Sequence, residues 1–161
     1  MAKYNITGKS DKEPDYHHRI NPILIDELKN GIITILINQN KYKDKTYSAK
    51  QLAEDLKTNT RYISAAINLR FHKNYTSFVN ELRIEEAMNM LADKRYIDLD
   101  MEDVSDAVGF SNRQSFYAAF LKENGCTPRE YRITHSNMYH NGKKIVKPKK
   151  KKTKSAKTKN D

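Results

Sequence analysis

Two short windows concentrate side chains able to recognise a flat hydrogen-bonding partner. Residues 112–121, NRQSFYAAFL, carry Arg113, Gln114 and Tyr117, and residues 59–68, NTRYISAAIN, carry Thr60, Arg61, Ser64 and Asn68. At 3.6 residues per turn Gln114, Tyr117, Ala118 and Leu121 share one side of a helix, with Arg113 on the flank near its start; Phe116, Ala119 and Phe120 share the other. In the earlier window Ile63, Ala66 and Ile67 fall together, which leaves Arg61, Ser64, Ala65 and Asn68 facing out. An arginine fork pairs bidentately with guanine and a glutamine amide with adenine, each separating right from wrong base by about 1–3 kcal/mol. The same groups also grip phosphates, which fixes position without reading sequence. Both kinds of contact are non-covalent. The five histidines, His17, His18, His72, His135 and His140, show no ligand spacing with Cys126, and neither a Gly-rich phosphate loop nor an activated nucleophile is visible. Enzymatic activity, a metal and a cofactor are therefore not expected.

The surrounding chain supplies the elements that would position these residues. Gly109 follows the amphipathic run DMEDVSDAV, where a helix end needs a left-handed backbone. Ser111 and Gln114 have capping-box spacing, so a new helix starts at once, and so short an interval forces a steep crossing, the helix-turn-helix arrangement. Gln114 thus has two uses open to it, closing the box or contacting a base. Gly125 and Pro128 end the segment, and Tyr131 with Arg132 open a short final helix. The pattern occurs earlier as well. Ser48 with Gln51 caps a short helix with Leu52, Ala53 and Leu56 on its apolar side; Lys57, Thr58 and Asn59 make the turn, with Asn59 as the next cap. Tyr75, Phe78, Val79, Leu82, Ala87, Met88 and Leu91 predict one helix over 75–92, about 27 Å long. Asn21 before Pro22 opens a first helix carrying Ile25, Leu28, Ile32, Ile35 and Leu36 through about Asn40. Gly31 within it costs roughly 1 kcal/mol relative to alanine.

The fold class expected is all-α: two helix-turn-helix subdomains, homeodomain-like, joined by a long linker helix, with about seven helices in all. The divisions expected are a flexible lead over 1–19, a first subdomain over 20–74, the linker helix over 75–92, a second subdomain over 93–135 and a disordered Lys-rich tail over 136–161. The longest apolar run, Ile32 to Ile37, is too short to cross a bilayer, and the N-terminus lacks a signal-peptide centre. One cysteine, Cys126, excludes an internal disulfide; a packed or half-packed thiol in a cytoplasmic protein is expected. The net charge of +10 is unevenly placed. Residues 20–142 hold sixteen basic and sixteen acidic side chains, whereas residues 143–161 hold ten lysines against Asp161. Lys143, Lys144, Lys147, Lys149, Lys150, Lys151, Lys152 and Lys154 are candidates for phosphate contacts that release counterions without reading sequence. A solubilising role, or affinity for another polyanion, is the alternative for this tail. Arg83, Glu81, Glu85 and Glu86 read as a solvated face with i,i+4 pairs.

GFSNRQSFYAAF followed by GCTPREYR resembles the second helix-turn-helix of the AraC/XylS family of bacterial transcription regulators. SAKQLAEDL through NTRYIS, with YTSFVNELRIEEAMNML after it, is similar to the first half of that family, so the likeness spans about residues 20–133. The resemblance implies reading positions at Thr60, Arg61, Ser64, Ala65 and Asn68, and at Arg113, Gln114, Tyr117, Ala118 and Leu121. It also implies a structural role for Arg83. Ala65 and Ala118 stand where relatives often carry arginine, Leu121 where they often carry lysine, and His72 where glycine is customary. Arg61, Arg113 and Gln114 are therefore the main candidates for base contacts, while Tyr117 suits backbone or base equally.

The function expected is a sequence-specific transcription regulator that inserts two recognition helices into adjacent major grooves of double-stranded DNA. RNA polymerase or another regulator would be its protein partner, no membrane is involved, and it would act as a monomer or weak dimer. The first nineteen residues are too few for a sensory domain. Two alternatives stay open: a sequence-tolerant architectural DNA protein led by the lysine tail, and a protein-interaction module on a degenerate AraC-type fold.

Overall fold

The computed structural model describes residues 21–136, and every regular element among them is helical. Asn21 accepts from the amide of Ile23 at 2.9 Å, Pro22 takes the first helical position, and α1 runs over Pro22–Ile33. Ile25, Leu28 and Ile32 form its buried stripe. The chain then widens into a π-helical turn, Thr34–Asn38, where Thr34 Oγ1 donates to Asn30 O at 2.9 Å; Leu36 is buried there and Ile35 partly so. Asn40, in a left-handed conformation, leads into a single 3-10 turn, Lys41–Lys43. Gly31 is more than a weak point of α1. A Cβ on it would stand 2.5 Å from Leu56 Cδ2, so the missing side chain admits Leu56 and packing offsets part of the helix-propensity loss.

α2, Ala49–Asp55, begins with both halves of the Ser48–Gln51 capping box in place. α3, Thr60–Phe71, is capped by Asn59 through the amide of Tyr62. It ends at His72, whose φ of 55° puts a non-glycine residue in the left-handed region at a cost. α4 runs over Tyr75–Ala92, the span its apolar spacing predicts. α5, Met101–Val108, starts where Asp100 accepts from the amides of Asp103 and Glu102 and ends at Gly109, φ 99°. Those backbone bonds hold the Asp100 carboxyl below its ordinary range. The cap is therefore fully formed above the ordinary carboxylate pKa and is lost as pH falls through the lowered folded value. α6 covers Arg113–Asn124 and ends at Gly125, φ 67°. α7 covers Pro128–Ser136, so the last helix opens at Pro128 and not at Tyr131. Thr127 and Glu130 cap it reciprocally, Thr127 N donating to Glu130 Oε2 at 2.9 Å and Glu130 N to Thr127 Oγ1 at 3.3 Å, and the proline presets its first turn.

Two hydrophobic clusters share α4. Phe78 and Val79 join Ile25, Ile32, Leu36, Leu52, Ile63 and Ile67; Ile84, Ala87, Met90 and Leu91 join Val104, Val108, Phe110, Phe116 and Phe120. The polar face of α4 departs from its expected form. Arg83 is half-buried and donates Nε to Tyr42 O at 2.6 Å. Glu86 pairs with Lys43 at 2.7 Å, and Glu81 pairs with Lys73. The ion pairs therefore leave the helix for neighbouring segments and are not i,i+4 pairs within it, because α4 is packed against the 3-10 turn, α3, α5, α6 and α7.

Phe116→Ala should lower the unfolding free energy by about 3–5 kcal/mol, since its fully buried ring leaves a cavity that the helices cannot close. Urea denaturation followed by circular dichroism measures the loss.

Candidate nucleic-acid interface

α6 is oriented by its aromatic side. Phe116 and Phe120 are completely buried, their rings meet edge to face at 5.8 Å, and Phe110 and Tyr131 lie 5.5 Å from Phe116 and Phe120 respectively. With that face held, Arg113, Gln114, Ala118 and Leu121 are exposed and Tyr117 is half-buried. The cap differs from expectation. Asn112, not Ser111, begins the helix: its side chain accepts from the amide of Ser115 at 2.8 Å. Asparagine caps as well as serine, and starting one residue later leaves Gln114 outside any capping box. Gln114 therefore keeps its amide in solvent at the N-terminal end of the exposed stripe.

Arg113 is held by its neighbour one turn on. Its guanidinium carbon sits 5.0 Å from the centroid of the Tyr117 ring, and Nη2 reaches Tyr117 Oη at a long 3.5 Å. This cation–π contact at i,i+4 gives Tyr117 a supporting role for the arginine fork. Lys122 is a cation that the helical-wheel reading passes over. It is exposed four residues after Ala118, where the position following Leu121 restores a positive charge to the flank of α6. The signal was present as the i,i+4 relation of those two residues.

α3 presents a narrower surface. Thr60, Arg61, Ser64 and Asn68 are exposed, spaced so that they share one stripe. Ala65 does not belong to it; it is completely buried. α1, α2 and α4 all pack on α3, so the covered arc is wider than a one-sided amphipathic pattern assumes, and the methyl of Ala65 falls on its edge. Arg70 at the far end of α3 is tied back to Asp26 of α1 at 2.8 Å. Lys143, Lys144, Lys147, Lys149, Lys150, Lys151, Lys152 and Lys154 lie outside the described residues.

The two exposed stripes each sit on the second helix of a tightly capped helix-turn-helix. Residues 52–133, just over half of the chain, match the family model described as a helix-turn-helix domain. The chain belongs to the AraC-type helix-turn-helix family. Among curated relatives, this AraC-type chain is similar to YobQ of Bacillus subtilis, an uncharacterized HTH-type transcriptional regulator, with 35% identity over 53% of this chain and 34% of the relative. It is also similar to the xylose operon regulatory protein of Haemophilus influenzae, with 25% identity over 52% of this chain and 21% of that protein. The chain thus spans about a third or less of the curated relatives it matches. Among solved structures, the C-terminal domain of AraT, a response regulator from Geobacillus stearothermophilus, superposes with a TM-score of 0.57 at 22% identity, covering 72% of this chain and 88% of that one. An AraC-type regulator from Chromobacterium violaceum gives 0.57 at 17% identity, over 72% and 97%. These likenesses show that the AraC-type fold is shared.

No helix among the described residues is long and apolar enough to cross a membrane, and no group of His, Cys, Asp and Glu among them is arranged to hold a metal ion. Cys126 is half-buried and unpaired.

Because the cap is Asn112, Asn112→Ala should cost about 1 kcal/mol of stability, and Ser111→Ala should stay within about 0.5 kcal/mol of the parent. Parallel urea titrations of the two variants separate these outcomes; equal losses would return the cap to Ser111.

Proposed function

We propose that the protein is a sequence-specific DNA-binding transcription regulator that places α3 and α6 in successive major-groove segments of one duplex. The observation that carries this reading is the pair of solvent-facing stripes, Thr60, Arg61, Ser64 and Asn68 on α3 and Arg113, Gln114, Tyr117, Ala118 and Leu121 on α6. Both belong to units packed on the same α4, which at 18 residues is about 27 Å long. Successive major-groove faces recur at about 34 Å, a distance that a rod of this length suits. The units are residues 20–74 and 93–135, joined by 75–92. Arg113 and Gln114 read bases, Arg61 reads or anchors the first sub-site, and Lys122 meets phosphate. A single chain then suffices for a bipartite site without palindromic symmetry, as a monomer or weak dimer, with RNA polymerase or another regulator as the protein it acts on.

The basic tail supplies the affinity that a charge-balanced helical core lacks. Deleting residues 143–161 should flatten the slope of log affinity against log salt, since each phosphate neutralised adds about 0.9 to that slope on duplex DNA. Sequence preference should survive the deletion. An architectural protein led by its tail would lose binding altogether instead.

The decisive experiment selects duplexes from randomised DNA with the full chain at stated salt. A bipartite consensus preferred by more than about tenfold is expected. Arg113→Ala should cost about 1–3 kcal/mol and relax one base position. No preference for any duplex, with binding unchanged by Arg61→Ala and Arg113→Ala, would sink the reading.

A further inference from the structure

Residues 41–46 follow the first helix in sequence, yet their contacts reach well into the second half of the molecule. Arg83, midway along α4, donates Nε to Tyr42 O at 2.6 Å and Nη2 to Asp44 O at 3.2 Å. The same guanidinium lies 5.7 Å from the ring centroid of Phe110, which sits in the turn between α5 and α6 and is buried in the second core. Lys43 Nζ pairs with Glu86 of α4 at 2.7 Å, and Lys45 Nζ reaches Asp106 of α5 at 2.7 Å. The backbone closes the arrangement. A Cβ on Gly109 would stand 2.5 Å from Lys43 O and 2.8 Å from Lys43 C, so the start of the second helix-turn-helix turn rests directly against the peptide of Lys43.

These contacts differ in weight. The Lys45–Asp106 pair, with side chains 37% and 60% exposed, is worth at most a fraction of a kcal/mol because solvent screens it. The two charge-assisted bonds from Arg83 to backbone carbonyls are stronger and leave little slack, and the Gly109 contact is a hard steric limit. Tyr42 is buried in the first core. A segment anchored in one core therefore abuts the turn that launches α6 from the other.

We propose that residues 41–46 form a positioning wedge that fixes α6 relative to α3, so that Arg83 and Gly109, which face no ligand themselves, set the spacing between the two DNA sub-sites the protein accepts. The consequence for DNA rests on the two-reader function proposed above; the mechanical coupling does not. With α4 as their sole connection, the two units would twist and flex about it, and sub-sites displaced by a base pair would still be reached. With the wedge in place, a displaced sub-site demands that either the Gly109 contact or the Arg83 bonds give way.

The test uses the full chain with Cys126→Ser and spin labels at Asn68→Cys and Lys122→Cys, read by double electron–electron resonance without DNA. A single narrow α3-to-α6 distance distribution is expected, with Arg83→Met broadening it by about twofold or more. Lys45→Glu, at an exposed pair that leaves folding intact, should broaden it slightly, and adding Asp106→Lys should reverse that change. Unchanged widths in Arg83→Met and Lys45→Glu overturn the wedge. If Arg83→Met does not fold, the Lys45→Glu variant and its charge-swapped partner decide. In the DNA arm, the selected bipartite site is lengthened or shortened by one or two base pairs. The parent should lose about tenfold in affinity at each displaced spacing and Arg83→Met threefold or less, while affinity for each isolated sub-site changes less than about twofold. An equally sharp spacing preference in folded Arg83→Met also overturns the wedge. A parent that selects no bipartite site, yet shows a narrow distribution broadened by Arg83→Met, removes the two-reader function and leaves the coupling standing.

Discussion

α4 has to serve two hydrophobic cores from a single cylinder. Phe78 and Val79 enter one core; Ile84, Ala87, Met90 and Leu91 enter the other. At 100° per residue the centres of these two sets lie roughly 140° apart around the helix, so the buried face changes side partway along. The helix accordingly shows no single apolar stripe, and its polar residues are confined to what both cores leave uncovered. Arg83 falls at the crossover, where a long side chain with an apolar stem and a charged head can lie between the two packings and still find acceptors. Burial pulls its guanidinium below the ordinary value, but two backbone carbonyls and the Phe110 face replace the lost water.

Helix ends were legible in the sequence because capping is local chemistry. Asn21, Ser48, Asn59, Gly109 and Gly125 all act where their types and neighbours indicate. Two helix starts were misread: Ser111 stood for Asn112 because two good cap residues stand side by side and the glutamine spacing favoured the wrong one, and Tyr131 stood for Pro128 because the Thr127–Glu130 cap went unread. The larger departures are tertiary. Ala65 is buried because three helices cover α3, and no periodicity within α3 counts its neighbours. Arg83 binds carbonyls about forty residues earlier, a partnership that local charge patterning cannot reveal. Gly31 reads as a flaw in a helix until Leu56 is seen to occupy the space.

The two candidate readers are unequal in a way that follows from packing. α6 packs on α4, α5 and α7 yet buries only Phe116 and Phe120, so a broad arc from Arg113 to Lys122 stays in solvent. α3 buries Ile63, Ala65, Ala66 and Ile67 against α1, α2 and α4 and keeps a stripe of three small or adaptable residues, Thr60, Ser64 and Asn68, and one arginine's reach. Both stripes nonetheless carry one arginine and one side-chain amide, Arg61 with Asn68 on α3 and Arg113 with Gln114 on α6.

Arg113 lying on Tyr117 has a thermodynamic corollary. A free arginine on a helix surface loses about 2 kcal/mol of rotamer freedom when a ligand immobilises it. Here part of that freedom is surrendered when the chain folds, once, rather than at each encounter. In the proposed function, the residue would meet DNA with its torsions already narrowed, so the entropic opposition to association would be smaller and misaligned encounters would gain little from a searching side chain.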